Sequence, residues 1–446
     1  MPLGLTRVPH NFGGRKSAVA KGYAPLQISA PAYAWVFFTV SRPRKHARRE
    51  TAGASTAATS GGNYTVHMSE NSIQDLLNPE AVTKIVGTLA PAGPRIAPDK
   101  MRQAVESIRA AAEASVDHVH RITGLEAAHN LRDSQVLVTD RSTWAKANAQ
   151  AFSVMLEPVL RAPLEKIRQK NPAALSITGY GIATEVGSIL AYLSTRVLGQ
   201  YEPYAALAGY GAAGGRLMLV APNILAVEKE LNVEPEDFRL WVCLHEQTHR
   251  VQFAAAPWLR DYFLNKIAQL GDSVSTGLSI KDALVASKGA RTDEADNEPQ
   301  IGEQLAALAK TPARAKQIAS EITAVMSLLE GHANVIMDAV DAEIVPTVKT
   351  IRRRFNRRSE TQKLVTRLIS RLLGLHRKAA QYRDGQKFVQ HIVDAVGMER
   401  FNVVWERPEN LPTEREIHNP DAWIKRVLDE DAKVVVAGGG DEENTA

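Results

Sequence analysis

The chain is poor in the features that would place it in several common classes. It has one cysteine, Cys243, in 446 residues. An intramolecular disulfide is therefore excluded, and an oxidising compartment is not indicated; the expected location is the cytoplasm. Its most conspicuous apolar run, Ile28 to Val40, is too short to span a bilayer. The run is followed by Arg42-Pro43-Arg44-Lys45 rather than a small-residue cleavage site, so it makes a poor signal peptide. There is no Cys-x-x-Cys, no phosphate-cradling Gly-Lys-Ser/Thr and no Gly-x-Ser-x-Gly elbow. Acid is missing altogether from residues 1–49, which carry nine Lys/Arg. Setting those nine apart from the total of 54 leaves 45 basic residues against 49 acidic ones, a net of −4. The formal +5 thus belongs to the leader. A mildly acidic body argues against nucleic acid as a partner.

Residues 1–70 mix Gly, Ser, Pro, Ala and Arg and read as a disordered basic leader or a start assigned too early, with Met68 the true first residue. A targeting segment is the third reading. Residues 71–430 read as a single helical domain, and 431–446 as an acidic disordered tail. Within the body, Asn78-Pro79-Glu80 opens one helix and Asp99 another that runs to about Ile122, with Met101, Val105, Ile108, Ala112, Val116 and Val119 at helical spacing. Further helices are expected after Asp140, from Thr184 to Leu198, from Pro222 to about Leu231, and after Pro257 through Leu270. A polar loop is expected at 289–300, and a long helix from Thr311 at least to Ala342, with a possible bend at Gly331. Pro346 interrupts it, and helices continue through Arg377, from Phe388 to Val396 and from Asp421 to Leu428. The Gly-rich stretch Gly209 to Gly215 matches Gly-x-Gly-x-x-Gly, but a strand (216–221) follows it where a nucleotide fold needs a helix, so it reads as a turn feeding that strand.

The chemistry concentrates in Trp241-Val242-Cys243-Leu244-His245-Glu246-Gln247-Thr248-His249. Pro235, with Glu234, Glu236 and Asp237, marks a helix start, and no Gly or Pro interrupts the helix before Pro257. One turn separates His245 from His249, so two neutral imidazoles lie on one face and can grip one Zn2+. Glu246 lies close enough to take a proton from a zinc-bound water. Cys243 points elsewhere and reads as packing.

A third ligand is expected from another buried helix. Leu328 to Asp338 is apolar apart from Glu330, His332, Asn334 and Asp338. A buried carboxylate costs several kcal/mol unless paired or metal-bound, which favours Glu330 as ligand. His332, about 200° around the same helix, is the alternative ligand or a proton donor. Asp338 reads as a residue orienting one imidazole. Gly331 would admit another backbone beside the site. The run Arg352-Arg353-Arg354-Phe355-Asn356-Arg357-Arg358 reads as a helix end rather than a phosphate track.

Four separated blocks, Gly215 to Asn223, Phe238 to Glu246, Glu330 to Ala333 and Glu406 to Thr413, resemble in order a bacterial family of zincin-like hydrolases first catalogued as a domain of unknown function. Some of its members carry a label linking them to biosynthesis of a deazaflavin coenzyme. The resemblance runs from about residue 72 to 428. It implies a mainly α, zincin-like metallohydrolase fold, with a small β element near 216–221 beside the metal-site helix, and a zinc-dependent metallopeptidase. In that reading the partner is a peptide or protein substrate, which could lie along the edge of strand 216–221. No membrane partner is expected, and the oligomeric state stays open. The alternative is a non-catalytic zincin scaffold acting as a binding protein.

Overall fold

The computed structural model describes residues 78–91, 93–170, 172–275, 312–358 and 381–428. The leader, the loop at 289–300, the stretch up to Arg377 and the tail lie outside or mostly outside these residues. Helices dominate: α1 (Pro79–Leu89), α2 (Pro98–Thr123), α3 (Arg141–Lys170), α4 (Pro172–Ser194), α5 (Ala221–Leu231), α6 (Pro235–Ala255), α7 (Leu259–Ser275), α8 (Ala313–Ala339), α9 (348–358) and α10 (Gln381–Val396). Short turns of helix and a last helix at 420–428 complete the described chain. Local chemistry sets many ends. Asn78 accepts from the backbone N–H of Glu80 and Ala81 to cap α1, and Asp140 accepts from Thr143 N–H at the start of α3. Proline opens α1, α2 and α6, where a missing N–H costs nothing. Gly124 and Asn232, both at positive φ, close α2 and α5. No described helix is long and apolar enough to cross a membrane.

The sheet has three strands, β1 (Gln135–Thr139), β2 (Gly199–Glu202) and β3 (Arg216–Val220), in the order β1-β3-β2. β3 is central, parallel to β1 and antiparallel to β2. The predicted strand is therefore present, but both its edges are bonded. It cannot offer an edge to a peptide, and that expectation is corrected. The Gly-rich stretch is indeed a turn into β3, with Gly209, Gly211 and Gly215 all at positive φ. Inside the turn of the sheet, Glu202 accepts from Arg216 (2.7 Å) and from Tyr204 and Ala205 N–H, so this buried carboxylate is fully engaged.

One hydrophobic cluster runs from Val82 to Leu428, with α6 inside it. Every residue from Trp241 to Phe253 is buried. Around α6 pack α2, α8, α5 and strands β2 and β3. Helix α8 is continuous through Gly331 and stops at Ala339, short of the predicted Ala342, because Asp341 turns the chain by accepting from Glu343 and Ile344 N–H. Three of the five arginines in the basic run serve helix ends. Arg352 donates to the Met337 and Val340 carbonyls that end α8, Arg354 to those of Leu231 and Asn232 that end α5, and Arg358 pairs with Glu230.

Helices α8 and α10 cross at a glycine pair. A Cβ on Gly331 would run into the Gly385 backbone and reach within 2.8 Å of Gln386 N; a Cβ on Gly385 would press on the Ser327 carbonyl, 2.7 Å from its carbon. Gly385→Ala is expected to lower stability by at least about 1–3 kcal/mol, because two backbones must separate. Chemical denaturation checks this; an unchanged midpoint would contradict the close crossing.

Candidate metal centre

A helix buried on every side is ordinarily apolar throughout. Between Leu244 and Phe253, α6 instead carries His245, Glu246, Gln247, Thr248, His249, Arg250 and Gln252, all buried. Each must find a partner or stay neutral. Thr248 donates to the Leu244 carbonyl within the helix. Arg250 donates to Asp133 (2.8 Å), which anchors this part of α6 to the segment before β1. Gln252 reaches across to α8, where its Nε2 lies 2.8 Å from the Leu329 carbonyl oxygen.

The two histidines face one another. Their rings are nearly perpendicular (85°), and the two Nε2 atoms are 3.2 Å apart. Glu330 on α8 brings Oε1 to 3.8 Å from His249 Nε2. Donor atoms of His245, His249 and Glu330 all lie within 4.8 Å of one another, and among the described residues no other His/Cys/Asp/Glu group meets that test. Glu330 Oε1 is buried with no hydrogen-bond partner. Two nitrogens held about 2.0–2.1 Å from one zinc at a tetrahedral angle would be roughly 3.3 Å apart, which the histidine pair matches. The set of two nitrogens and one oxygen leaves a fourth position open, as in sites that act on a water. The residues therefore fit a zinc ion.

His332 is not in this group. Its Nδ1 lies 3.0 Å from Gln252 Nε2, and its ring is packed against Phe401 and Trp405. Asp338 does not orient an imidazole. It is exposed and accepts from Gln386 at 2.8 Å, and that expectation is corrected. The residue touching the His249 imidazole is Gln252, whose Oε1 lies 2.9 Å from His249 Nδ1. Asn334, one turn on from Glu330, is buried with neither amide atom hydrogen-bonded.

Glu246 points toward the sheet. Gly199 at the start of β2 lies against it so tightly that a Cβ there would be 2.9 Å from Glu246 Cδ. Neither Gly199 nor Gln252 stood out in the sequence. Gln252 lies three residues after His249 on a buried face, the one signal that could have marked it.

Residues 77–424 match a family model described as zincin-like metallopeptidase. The chain belongs to the zincin-like metallopeptidase family. It is also similar to a solved structure described as a "putative hydrolase with a novel fold" from Chloroflexus aurantiacus, with 30% identity, a TM-score of 0.52, and coverage of 79% of this chain and 97% of that one. No curated protein matches.

In this zincin-like chain, burial sets the charge state of the site. It pushes the Glu330 carboxyl up to about 8. Burial and the neighbouring Glu330 hold Glu246 well above the carboxylate range, against a smaller contribution from the Tyr201 backbone. Burial takes His249 down to about 4, and burial followed by the nearby His249 ring takes His245 well below its usual value. The imidazoles are thus neutral at pH 7, while Glu330 holds a proton that ligation must expel. Since protons and metal compete for Glu330, affinity rises with pH until the carboxyl ionises unaided. Measured by chelator competition, log affinity for zinc is expected to climb by about one per pH unit from pH 6 to 8 and to flatten above. An affinity flat across that window would contradict the protonated ligand.

Proposed function

We propose that this chain is a zinc-dependent metallopeptidase. The observation that carries the reading is the convergence of His245, His249 and Glu330, from two helices, beside a buried Glu246. His245 Nε2, His249 Nε2 and Glu330 Oε1 would hold the ion. When bound, zinc supplies Lewis acidity, polarising a carbonyl and lowering the pKa of a water towards about 7. Beside a bound cation the Glu246 carboxyl, which burial otherwise keeps protonated, would ionise and so receive a proton from the attacking water. As the new C–O bond forms and the C–N bond breaks, Glu246 returns that proton to the leaving amine nitrogen. Gly199 confines Glu246 to one side of the site, which keeps the proton carrier in place between the two transfers. His249 and Glu330 retain slight exposure, so the site opens on their side rather than through the sheet. The single cysteine, buried and with its thiol pushed up by burial, fits a reducing compartment, and the cytoplasm is the proposed location.

Glu246→Gln is expected to keep stoichiometric zinc while lowering peptide hydrolysis by roughly 10²- to 10⁴-fold, the range for a positioned general base. Turnover equal to wild type in a zinc-loaded Glu246→Gln protein would defeat the assignment. A wild-type protein that takes up no zinc, with His245→Ala indistinguishable from it, would favour the scaffold reading instead. Gly199→Ala tests the wall behind the base. It is expected to retain zinc and to lower kcat with little change in KM, because the added methyl displaces Glu246 and not the ligands. A Gly199→Ala enzyme with unaltered kcat would remove that role.

A further inference from the structure

We infer that Gln252 is a positioning residue for the metal centre: its side-chain amide determines which nitrogen of His249 is protonated and ties the two ligand-bearing helices together. This rests on the metal reading proposed above.

The chain of reasoning begins at one main-chain carbonyl. The Leu329 oxygen can only accept a hydrogen bond, and Gln252 Nε2 lies 2.8 Å from it. The amide nitrogen must therefore face α8, which turns Oε1 toward His249. Oε1 can only accept, and it lies 2.9 Å from His249 Nδ1, so Nδ1 carries the proton. A neutral imidazole has one N–H. His249 Nε2 is then left with its lone pair directed at the space it shares with His245 Nε2 and Glu330 Oε1. The other hydrogen of Gln252 Nε2 goes to His332 Nδ1 at 3.0 Å, so His332 accepts there and keeps its proton on Nε2. The His332 ring is stacked on Phe401 (5.7 Å between centroids, 21°) and meets Trp405 at 5.2 Å. The segment around Phe401 and Trp405 thus holds the far end of the relay, and the His332 nitrogen that faces the site is already engaged.

Chemistry at position 252 is narrowly specified. A glutamate would accept from His249 Nδ1–H but would turn an oxygen toward the Leu329 carbonyl. A methionine would fill the space and do neither. A purely structural glutamine would tie α6 to α8 without governing the histidine, and the two roles part company in the tautomer.

The test uses the full chain. Long-range ¹H–¹⁵N spectra of histidine-labelled, metal-free wild-type protein, with His249 assigned by its loss in His249→Gln, are expected to show the Nδ1–H form; the Nε2–H form would overturn the inference. Gln252→Met is expected to unfold cooperatively, to lose the single-tautomer signature and to bind zinc roughly 10- to 100-fold more weakly by chelator competition. Gln252→Glu is expected to recover the Nδ1–H signature and only part of the affinity. Unchanged zinc affinity in Gln252→Met would overturn the inference. Wild-type protein that binds no zinc would remove the metal reading itself, whereas the tautomer spectrum, recorded without metal, still decides what the amide does.

Discussion

Desolvation of polar side chains on α6 governs the centre of this molecule. Seven polar residues lie between Leu244 and Phe253 in a stretch of helix almost wholly withdrawn from water. Each charge there would cost several kcal/mol if left alone. The surrounding elements can be understood as answers to that cost. Asp133 meets Arg250, the Leu329 carbonyl meets Gln252, and the imidazoles are kept neutral by burial. Glu330 has no such relief, Glu246 has only the smaller contribution of the Tyr201 backbone, and burial holds both carboxyls above their usual range. A divalent cation between the two histidines and Glu330 would resolve what the protein leaves open.

The framework around this helix is arranged to bring distant parts of the chain to it. Tight backbone approaches set the distances: Gly331 against Gly385 brings α10 onto α8, and Gly199 brings β2 onto Glu246. Arginines from α9 close the ends of α5 and α8, so a run of positive charge that resembles a binding track in the sequence serves as helix caps. Aromatic residues near the end of the described chain, Phe401 and Trp405, cover His332.

Much of this was legible in the sequence because its signals are local. Proline and asparagine mark helix starts, and an imidazole pair four residues apart needs nothing but helical geometry. Glu330 was legible as an acid stranded among apolar neighbours. Individual helices followed from periodicity, and the mainly helical class with a small sheet element, which the family resemblance implied, agrees with the structure. What escaped depends on partners far away. β1 and β2 are five and four residues long, and Gly-Gln-Tyr-Glu has no strand signature of its own; its burial comes from partners such as Trp144 and Asn148, which bond Gln200. Without those strands β3 looked like an edge. Asp338 misled for a geometric reason. Each four-residue step rotates about 40° around a helix, so two steps from Glu330 carry a side chain off the buried face. Gln252 escaped because a glutamine's role depends on which carbonyl it meets.

Glu330 follows His249 by 81 residues. A chain emerging from the ribosome therefore displays the paired imidazoles long before the carboxylate exists to join them, and two donors alone make a weak, unselective grip. Chelation by all three groups would wait until α6 and α8 have docked, which would tie metal selection to the completion of the core.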